Sequence, residues 1–440
     1  MYVAVDDTDS IHGNCTTFLA TEIIRELDDL DLIGYPRLVR LNPAVPWKTR
    51  GNGSLVMRFG KGTGKKELIG SIEGKDIYCF EKTSSYGISE EEVISRLIPL
   101  VEKYHEDSAD PGIIVSKVKP SQKFYWKGVR TILDRKTVDE EIRKIGAKTF
   151  EMGCGRGLIG SLCGMSWRPK DSTLELLAYR PMVRWGTERV FDPMSIRSAD
   201  MKFPSTFNSW EERNQKVTMV PSTPCPVMYG FRGEIKDELL GGYETIQTEP
   251  LGRWIIFLTN QGTDDHIIYN TRELTSESSY YIEGRVTSPS RHEKGGHTFM
   301  DVETRFGTLT LGAYEPSKEF RQLFDNLMPG DRIGVMGELR KEPRTLNVEK
   351  LRIIGLSENF EKVSNPICDS CGKRMESVGK NKGYRCRKCH TVAEDPVRTK
   401  KIRWVTEGWY EPPESARRHL SKPLKRMKEE QPVMFVNSRI

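Results

Sequence analysis

The stretch Met1-Tyr2-Val3-Ala4-Val5-Asp6-Asp7-Thr8-Asp9-Ser10 decides how the front of this chain folds. Its first five residues read as a short buried strand, and three carboxylates follow within four positions. Like charges that close raise one another's pKa unless a cation sits among them. A hard cation such as Mg²⁺ takes oxygen ligands and normally arrives carrying phosphate. Cys15-Thr16-Thr17 then opens a helical pattern with apolar residues at Phe18, Leu19, Ile23, Ile24 and Leu27. A strand end, an acidic loop and a helix N-terminus predict an α/β unit with a metal–nucleotide site at Asp6, Asp7 and Asp9. A solvated turn accounts for any one of these aspartates, but poorly for all three.

Two further loops carry chemistry. Leu41 to Gly53 is punctuated by proline and glycine and runs into the alternating strand Ser54 to Phe59. Gly153-Cys154-Gly155-Arg156-Gly157-Leu158-Ile159-Gly160 combines close backbone approach with a fixed cation, ahead of an apolar helix pattern. It fits a phosphate-facing helix N-terminus and an ordinary tight turn about equally well. Residues 189–274 read as a separate α+β unit, in which Asp264 and Asp265 look like members of a solvated loop.

From Tyr280 to Leu356 five strands follow one another, with a helical interlude between the third and fourth and a glycine in the first. That order matches the OB-fold barrel, a frequent binder of single-stranded nucleic acid. The strongest local signal comes next. Cys368-x2-Cys371 and Cys386-x2-Cys389 supply four thiolates in two knuckles, the set preferred by structural Zn²⁺, whereas a redox role needs only one CxxC. Lys373, Arg374, Lys380, Lys382, Arg385, Arg387 and Lys388 surround the knuckles, with Tyr384 among them, a mixture that suits nucleic acid.

The bulk properties agree. A length of 440 residues implies roughly three domains of about 150 residues. Residues 361–440 carry +9 and the first 360 carry −3, which together make the +6 of the whole chain. Such asymmetry points to a polyanion held by the C-terminal part. No apolar run reaches the roughly 18 residues of a membrane helix, and no basic leader precedes Asp6. A cytoplasmic protein with reduced cysteines and no membrane partner is expected. The tail around Trp409 to Leu424 is too aromatic for a linker; packing on the zinc module and contacting phosphates suit it equally.

Asp-Asp-Thr-Asp-Ser with Cys-Thr-Thr, Arg-Leu-Asn-Pro, Lys-Thr-Arg-Gly-Asn-Gly, Gly-Arg-Gly-Leu-Ile-Gly, Thr-Pro-Cys-Pro-Val, the barrel, the ribbon and Ser-Ala-Arg-Arg-His-Leu-Ser-Lys-Pro-Leu occur here in one order. This succession resembles the archaeal tRNA(Ile) 2-agmatinylcytidine synthetases over essentially the whole chain. Cys154 departs from the pattern, standing where a polar or basic residue is expected. The resemblance implies a multidomain α+β protein: a kinase-like α/β catalytic domain (1–188, with room for a segment of the next), a ferredoxin-like domain (189–275), an OB-fold (276–358), a zinc ribbon (359–400) and a basic tail (401–440). It implies ATP-dependent joining of agmatine to the wobble cytidine of a tRNA(Ile) with a CAU anticodon, releasing AMP and pyrophosphate and permitting AUA decoding. The cytosine 2-oxo oxygen would be phosphorylated first, and Thr16 would itself become phosphorylated. Asp6, Asp7, Asp9 and Thr16 are the expected catalytic residues, and Arg50, Asn52, Gly155, Arg156 and Gly157 the expected nucleotide contacts. ATP, Mg²⁺ and Zn²⁺ are the expected cofactors. A non-catalytic RNA-binding protein is the alternative, and it leaves Asp6, Asp7, Asp9, Thr16 and Arg156 unexplained. An ATP-dependent ligase acting on small molecules leaves the C-terminal half without purpose.

Overall fold

The computed structural model describes residues 1–9, 13, 15–48 and 51–427. Arg50, expected to contact nucleotide, lies outside the described residues. The first strand, β1 (Tyr2–Asp6), alternates as its sequence demands. Val3 and Val5 face a layer formed by α1 (Thr16–Glu26) and, further on, α2 (Glu90–Lys103), while Ala4 faces the other side. Each such fully buried aliphatic side chain contributes about 1.5–3 kcal/mol.

The remaining strands of this unit are β2 (Asp31–Ile33), β3 (Arg37–Arg40), β4 (Gly53–Ile72), β5 (Lys75–Ser85), β6 (Gly112–Ser116), β7 (Lys148–Glu151) and β8 (Thr173–Tyr179). The helices α3 (Lys123–Arg130), α4 (Arg135–Ile145) and α5 (Gly157–Met165) cover the Ala4 face, with Leu158 and Leu162 packed on Val56 and Ile114. The chain continues through α6 (Pro193–Lys202), a ribbon of β9 (Trp210–Glu211) and β10 (Lys216–Val217), then β11 (Val227–Gly233), α7 (Lys236–Thr245) and β12 (Arg253–Thr259). One ten-stranded sheet runs β11-β8-β12-β3-β4-β1-β6-β7, with β2 and β5 branching from β4. Strand β12 links its halves, running parallel to β3, with Leu258 opposite Arg37 and Thr259 opposite Leu38, and antiparallel to β4, with Arg253 opposite Ile72 and Ile255 opposite Gly70.

Beyond β13 (Ile267–Ile268), a barrel closes from β14 (Ser278–Val286), β16 (His297–Thr304), β17 (Gly307–Ala313), β18 (Arg332–Leu339) and β19 (Thr345–Gly355), with β15 (Arg291–Glu293) as a flap on β16. Closure is completed where β14 pairs with β16, and a helical segment over Glu315–Asp325 joins the third and fourth barrel strands. This is the OB-fold order expected from the strand spacing. Gly284 lets the second barrel strand cross close to the first, because a side chain there would collide with the Glu303 carbonyl.

The tail packs on the barrel and the large sheet rather than on the zinc module. Gly408–Tyr410 adds a strand to β19. The chain then crosses back to the large sheet, where Gly262 N donates to His419 O (2.8 Å) and Asp264 N to Leu420 O (2.8 Å). Asp264 and Asp265 are therefore not solvated. Asp264 pairs with buried Lys350 and accepts Lys422 N at 2.7 Å, and Asp265 accepts the Tyr125 hydroxyl at 2.5 Å.

Candidate functional site

The carboxylates of β1 converge because the strand ends abruptly. Asp7 adopts φ 56°, a left-handed turn that Asp tolerates better than bulky residues do, and its N–H donates to Asp6 Oδ1 at 2.7 Å. Asp6 is buried, and burial first, then the nearby Asp7 and Asp9 charges, push its carboxyl up to about 8. Burial and the Asp110 carboxylate likewise raise Asp7, with Arg156 opposing. Asp9 faces α1, where one oxygen accepts both the Thr16 N–H (2.6 Å) and the Thr16 hydroxyl (2.8 Å). Cys15 occupies the N-cap position without capping the helix, so Asp9 satisfies the helix start from seven residues away.

The glycine loop meets this turn from the other side. Gly157 lies on the backbone of Gly112 and the Asp6 carbonyl, and Gly160 faces the Asp6 carboxylate itself; a Cβ at either would overlap those atoms. The glycines of α5 thus seat the helix against the acidic strand end. Cys154 donates from N and from Sγ to the two Asp110 oxygens at 2.9 Å each, and Arg156 sits 3.4 Å from the same carboxylate. The Arg156 guanidinium also lies 5.3 Å from the centroid of the half-exposed Trp47 ring.

Two cavities share a wall here. The first has Asp6, Asp7, Asp9, Asn52 and Arg156 on its polar side and Leu41, Val45, Ile132, Leu133 and Ile159 on its apolar side. The second lies between the two halves of the large sheet and is lined by Arg40, Glu175, Arg232, the segment Thr218–Thr223, Cys225 and His419. Asp9, Thr16, Gly51 and Gly53 border both. Glu175 is buried and accepts Arg232 Nε at 2.8 Å and Gln261 Nε2 at 2.5 Å. His419 stands exposed at the rim of this cavity, where the like charges of Arg40, Arg232 and Lys48 lower the proton affinity of its imidazole.

Of the expected site residues, Asp6, Asp7, Asp9, Thr16, Asn52 and Arg156 meet in the first cavity. Gly155 and Gly157 stand behind Arg156: the Gly155 carbonyl accepts Arg135 Nη1 at 3.0 Å, and Gly157 serves packing. Asp110, Trp47, Arg40 and His419 belong to the site and were not picked out in sequence. Asp110 lies in a featureless turn before β6, and His419 is brought from the far end of the chain. Only the Arg-Arg-His run in the tail hinted at it.

The ribbon is self-contained. The four Sγ atoms of Cys368, Cys371, Cys386 and Cys389 all lie within 4.8 Å of one another, a spacing compatible with Zn–S bonds of about 2.3 Å in a tetrahedron. Cys389 N donates to Cys386 Sγ at 3.5 Å, and Met375 and Tyr384 pack beside the thiols.

The chain is similar to known proteins along its length. Residues 2–154 match the TiaS TCKD domain family, 155–266 the TiaS FLD domain, 280–354 an OB-fold nucleic acid binding domain and 365–405 the TiaS C-terminal zinc ribbon domain. The isoleucine-tRNA 2-agmatinylcytidine synthetase TiaS of Archaeoglobus fulgidus is 39% identical, with 97% of each chain aligned. The protein of the same name from Methanocaldococcus jannaschii is 35% identical over 96% of this chain and 98% of that one. Among solved structures, the complex of TiaS with its isoleucine tRNA and ATP superposes with a TM-score of 0.85 at 36% identity. The complex of TiaS with the same tRNA, AMPCPP and agmatine superposes with 0.82 at 34%, and each comparison covers 99% of both chains.

Proposed function

Because the chain belongs to the TiaS family of isoleucine-tRNA 2-agmatinylcytidine synthetases, we propose that it joins agmatine to the base of the wobble cytidine of that tRNA at the expense of ATP. It acts as a carbon–nitrogen bond-forming ligase in the cytoplasm. The observation that carries this reading is the shared wall: Thr16 and Asp9 separate a cleft suited to a nucleotide from a cavity suited to a second substrate.

In the first cavity the apolar side takes a flat base, and Asn52 and Arg156 contact phosphates. Asp6, Asp7 and Asp9 fit a divalent cation, because burying three carboxylates together already costs enough to push Asp6 towards neutrality. Mg²⁺ held there would neutralise charge on the phosphoryl group in transfer. Arg156, kept in place by Asp110 and Trp47, performs the same service from the opposite side. Asp9 accepts the hydroxyl proton of Thr16, which prepares that oxygen as a phosphoryl acceptor. The cytosine leaves its stack and reaches the wall between the cavities, where its 2-oxo oxygen takes the terminal phosphoryl group of the ATP-derived phosphates as their bridging P–O bond breaks. The primary amine of agmatine, entering from the second cavity, then forms the C2–N bond as the C2–O bond breaks and phosphate leaves with the former 2-oxo oxygen. His419, which lines this cavity, is placed to take the amine proton.

We place the division between the catalytic and ferredoxin-like domains near residue 155 rather than 188. Strand β8 is paired on both sides with β11 and β12 of the later unit, which supports this. Labelled agmatine tests the function. An isoleucine tRNA transcript with wobble cytidine in a CAU anticodon should take up label, and one with uridine there should bind with little loss yet take up none. Equal labelling would remove the base as acceptor.

A further inference from the structure

At the end of β1 opposite the aspartates, four cations converge without a counter-charge. They are Arg37 of β3, Arg58 of β4, Lys119 after β6 and Arg168 after α5, all half-buried. Tyr2 pairs in register with Arg58, and the Arg58 guanidinium and the Lys119 ammonium each lie 5.4 Å from the Tyr2 ring centroid. Arg37 Nη1 (3.1 Å) and Lys119 Nζ (3.0 Å) both donate to the Trp167 carbonyl, while Arg168 donates to the Ser166 and Pro120 carbonyls at 3.0 Å each. Arg58 Nε is buried and has no hydrogen-bond partner among the described residues.

The carbonyls beyond the C-terminus of α5 explain part of this arrangement, since a helix end attracts cations. That end, however, carries only about half a negative charge. The charges acting on Lys119 are those of Arg37, Arg168 and Arg58, all positive, and burial with this repulsion brings the ammonium down to about 7. On Arg37 the acting groups are the Tyr2 phenol, Arg58 and Arg168. The neighbouring carboxylate, Glu90, is taken by Lys117 at 2.9 Å. Three guanidiniums and an ammonium close enough to act on one another match an anion with several oxygens, and phosphate above all.

We infer that Arg37, Arg58, Lys119 and Arg168 form a phosphate-binding site distinct from the catalytic cavities. Four residues of extended strand, about 13 Å, separate Tyr2 from Asp6, so one phosphate group cannot serve both places. The phosphate belongs either to an RNA backbone or to a free polyphosphate such as pyrophosphate, and both present the same oxygens.

The full chain tests this through Lys119, whose low proton affinity makes it reactive towards acylating reagents near neutral pH. The acylation rate of Lys119 is followed by peptide mass spectrometry with inorganic pyrophosphate alone, with tRNA alone and with neither. Slowing by about fivefold is expected at a concentration near four times Kd. Protection by tRNA but not pyrophosphate assigns the RNA backbone; protection by pyrophosphate assigns a free polyphosphate. No protection in either arm overturns the site. Undiminished protection in R168Q, whose half-exposed side chain can be shortened without opening the core, or in R58Q, overturns it equally, because the anion would then be bound elsewhere.

Discussion

One oxygen of Asp9 accepts both the N–H and the hydroxyl of Thr16, so a single side chain starts a helix and orients a reactive group. Its two roles separate by substitution. Asp9→Asn keeps an accepting oxygen and should fold normally, yet lose agmatine incorporation by about a hundredfold or more, the scale of one lost electrostatic contact to a transition state. Asp7→Asn should do the same without weakening tRNA binding. Near-normal incorporation by both variants would remove the carboxylates from the chemistry. His419 makes a second prediction. The like charges of Arg40, Arg232 and Lys48 lower the proton affinity of its imidazole in the folded chain below the ordinary value of 6.5 that it has when unfolded. Unfolded chain therefore binds the extra proton, so the contribution is complete above 6.5 and is lost as pH falls below it. Between about pH 8 and pH 5 the thermal midpoint of the wild type should fall more than that of His419→Gln, read by calorimetry.

Among the elements, the tail has the widest reach. It adds a strand to the barrel, clasps the loop after β12 and delivers His419 to the second cavity. Lys350, on barrel strand β19, holds this crossing together through Asp264 and the Lys422 carbonyl (2.9 Å). Removing one member of a buried pair leaves the other charged and uncompensated, at a cost of about 3–5 kcal/mol. Lys350→Met should therefore lower the thermal midpoint and expose residues near 420 to protease. Lys350→Met with Asp264→Leu should recover much of the loss. If the single variant is as stable and as protease-resistant as the wild type, the clasp is unimportant.

At the scale of the molecule, acidic chemistry and basic surface belong to different domains joined by that tail. Ending the chain at residue 360 would remove the ribbon together with His419, confounding two functions. The structure offers a cleaner cut, because Phe360–Ser364 pairs with Val397–Lys400 and the ribbon enters and leaves side by side. Deleting residues 361–400 with a short closure should leave ATP binding intact and weaken tRNA binding. It should also flatten the dependence of affinity on salt, whose slope is close to about 0.9 for each phosphate neutralised. Zinc should co-purify with the full chain, and stripping it by chelation should act like the deletion, since the metal supplies the ribbon's folding energy. Loss of ATP binding before tRNA binding in either case would refute this division of labour.

The residues that act through local chemistry were legible before any fold was known. Asp6, Asp7 and Asp9 share one turn, the cysteine knuckles carry their own spacing, and the barrel strands announce themselves by alternation. All of these depend on neighbours a few positions away or on a period along one element. What lay beyond that range was decided by tertiary packing. Asp264 looked solvated until the tail and Lys350 closed over it, the close seating of Gly157 on β6 was not visible in the glycine loop, and His419 lies some four hundred residues from the Thr16 with which it shares a cavity. Sequence records the chemistry a side chain can perform. Which charges end up buried together depends on long-range strand pairing and loop closure, and only the folded chain specifies those.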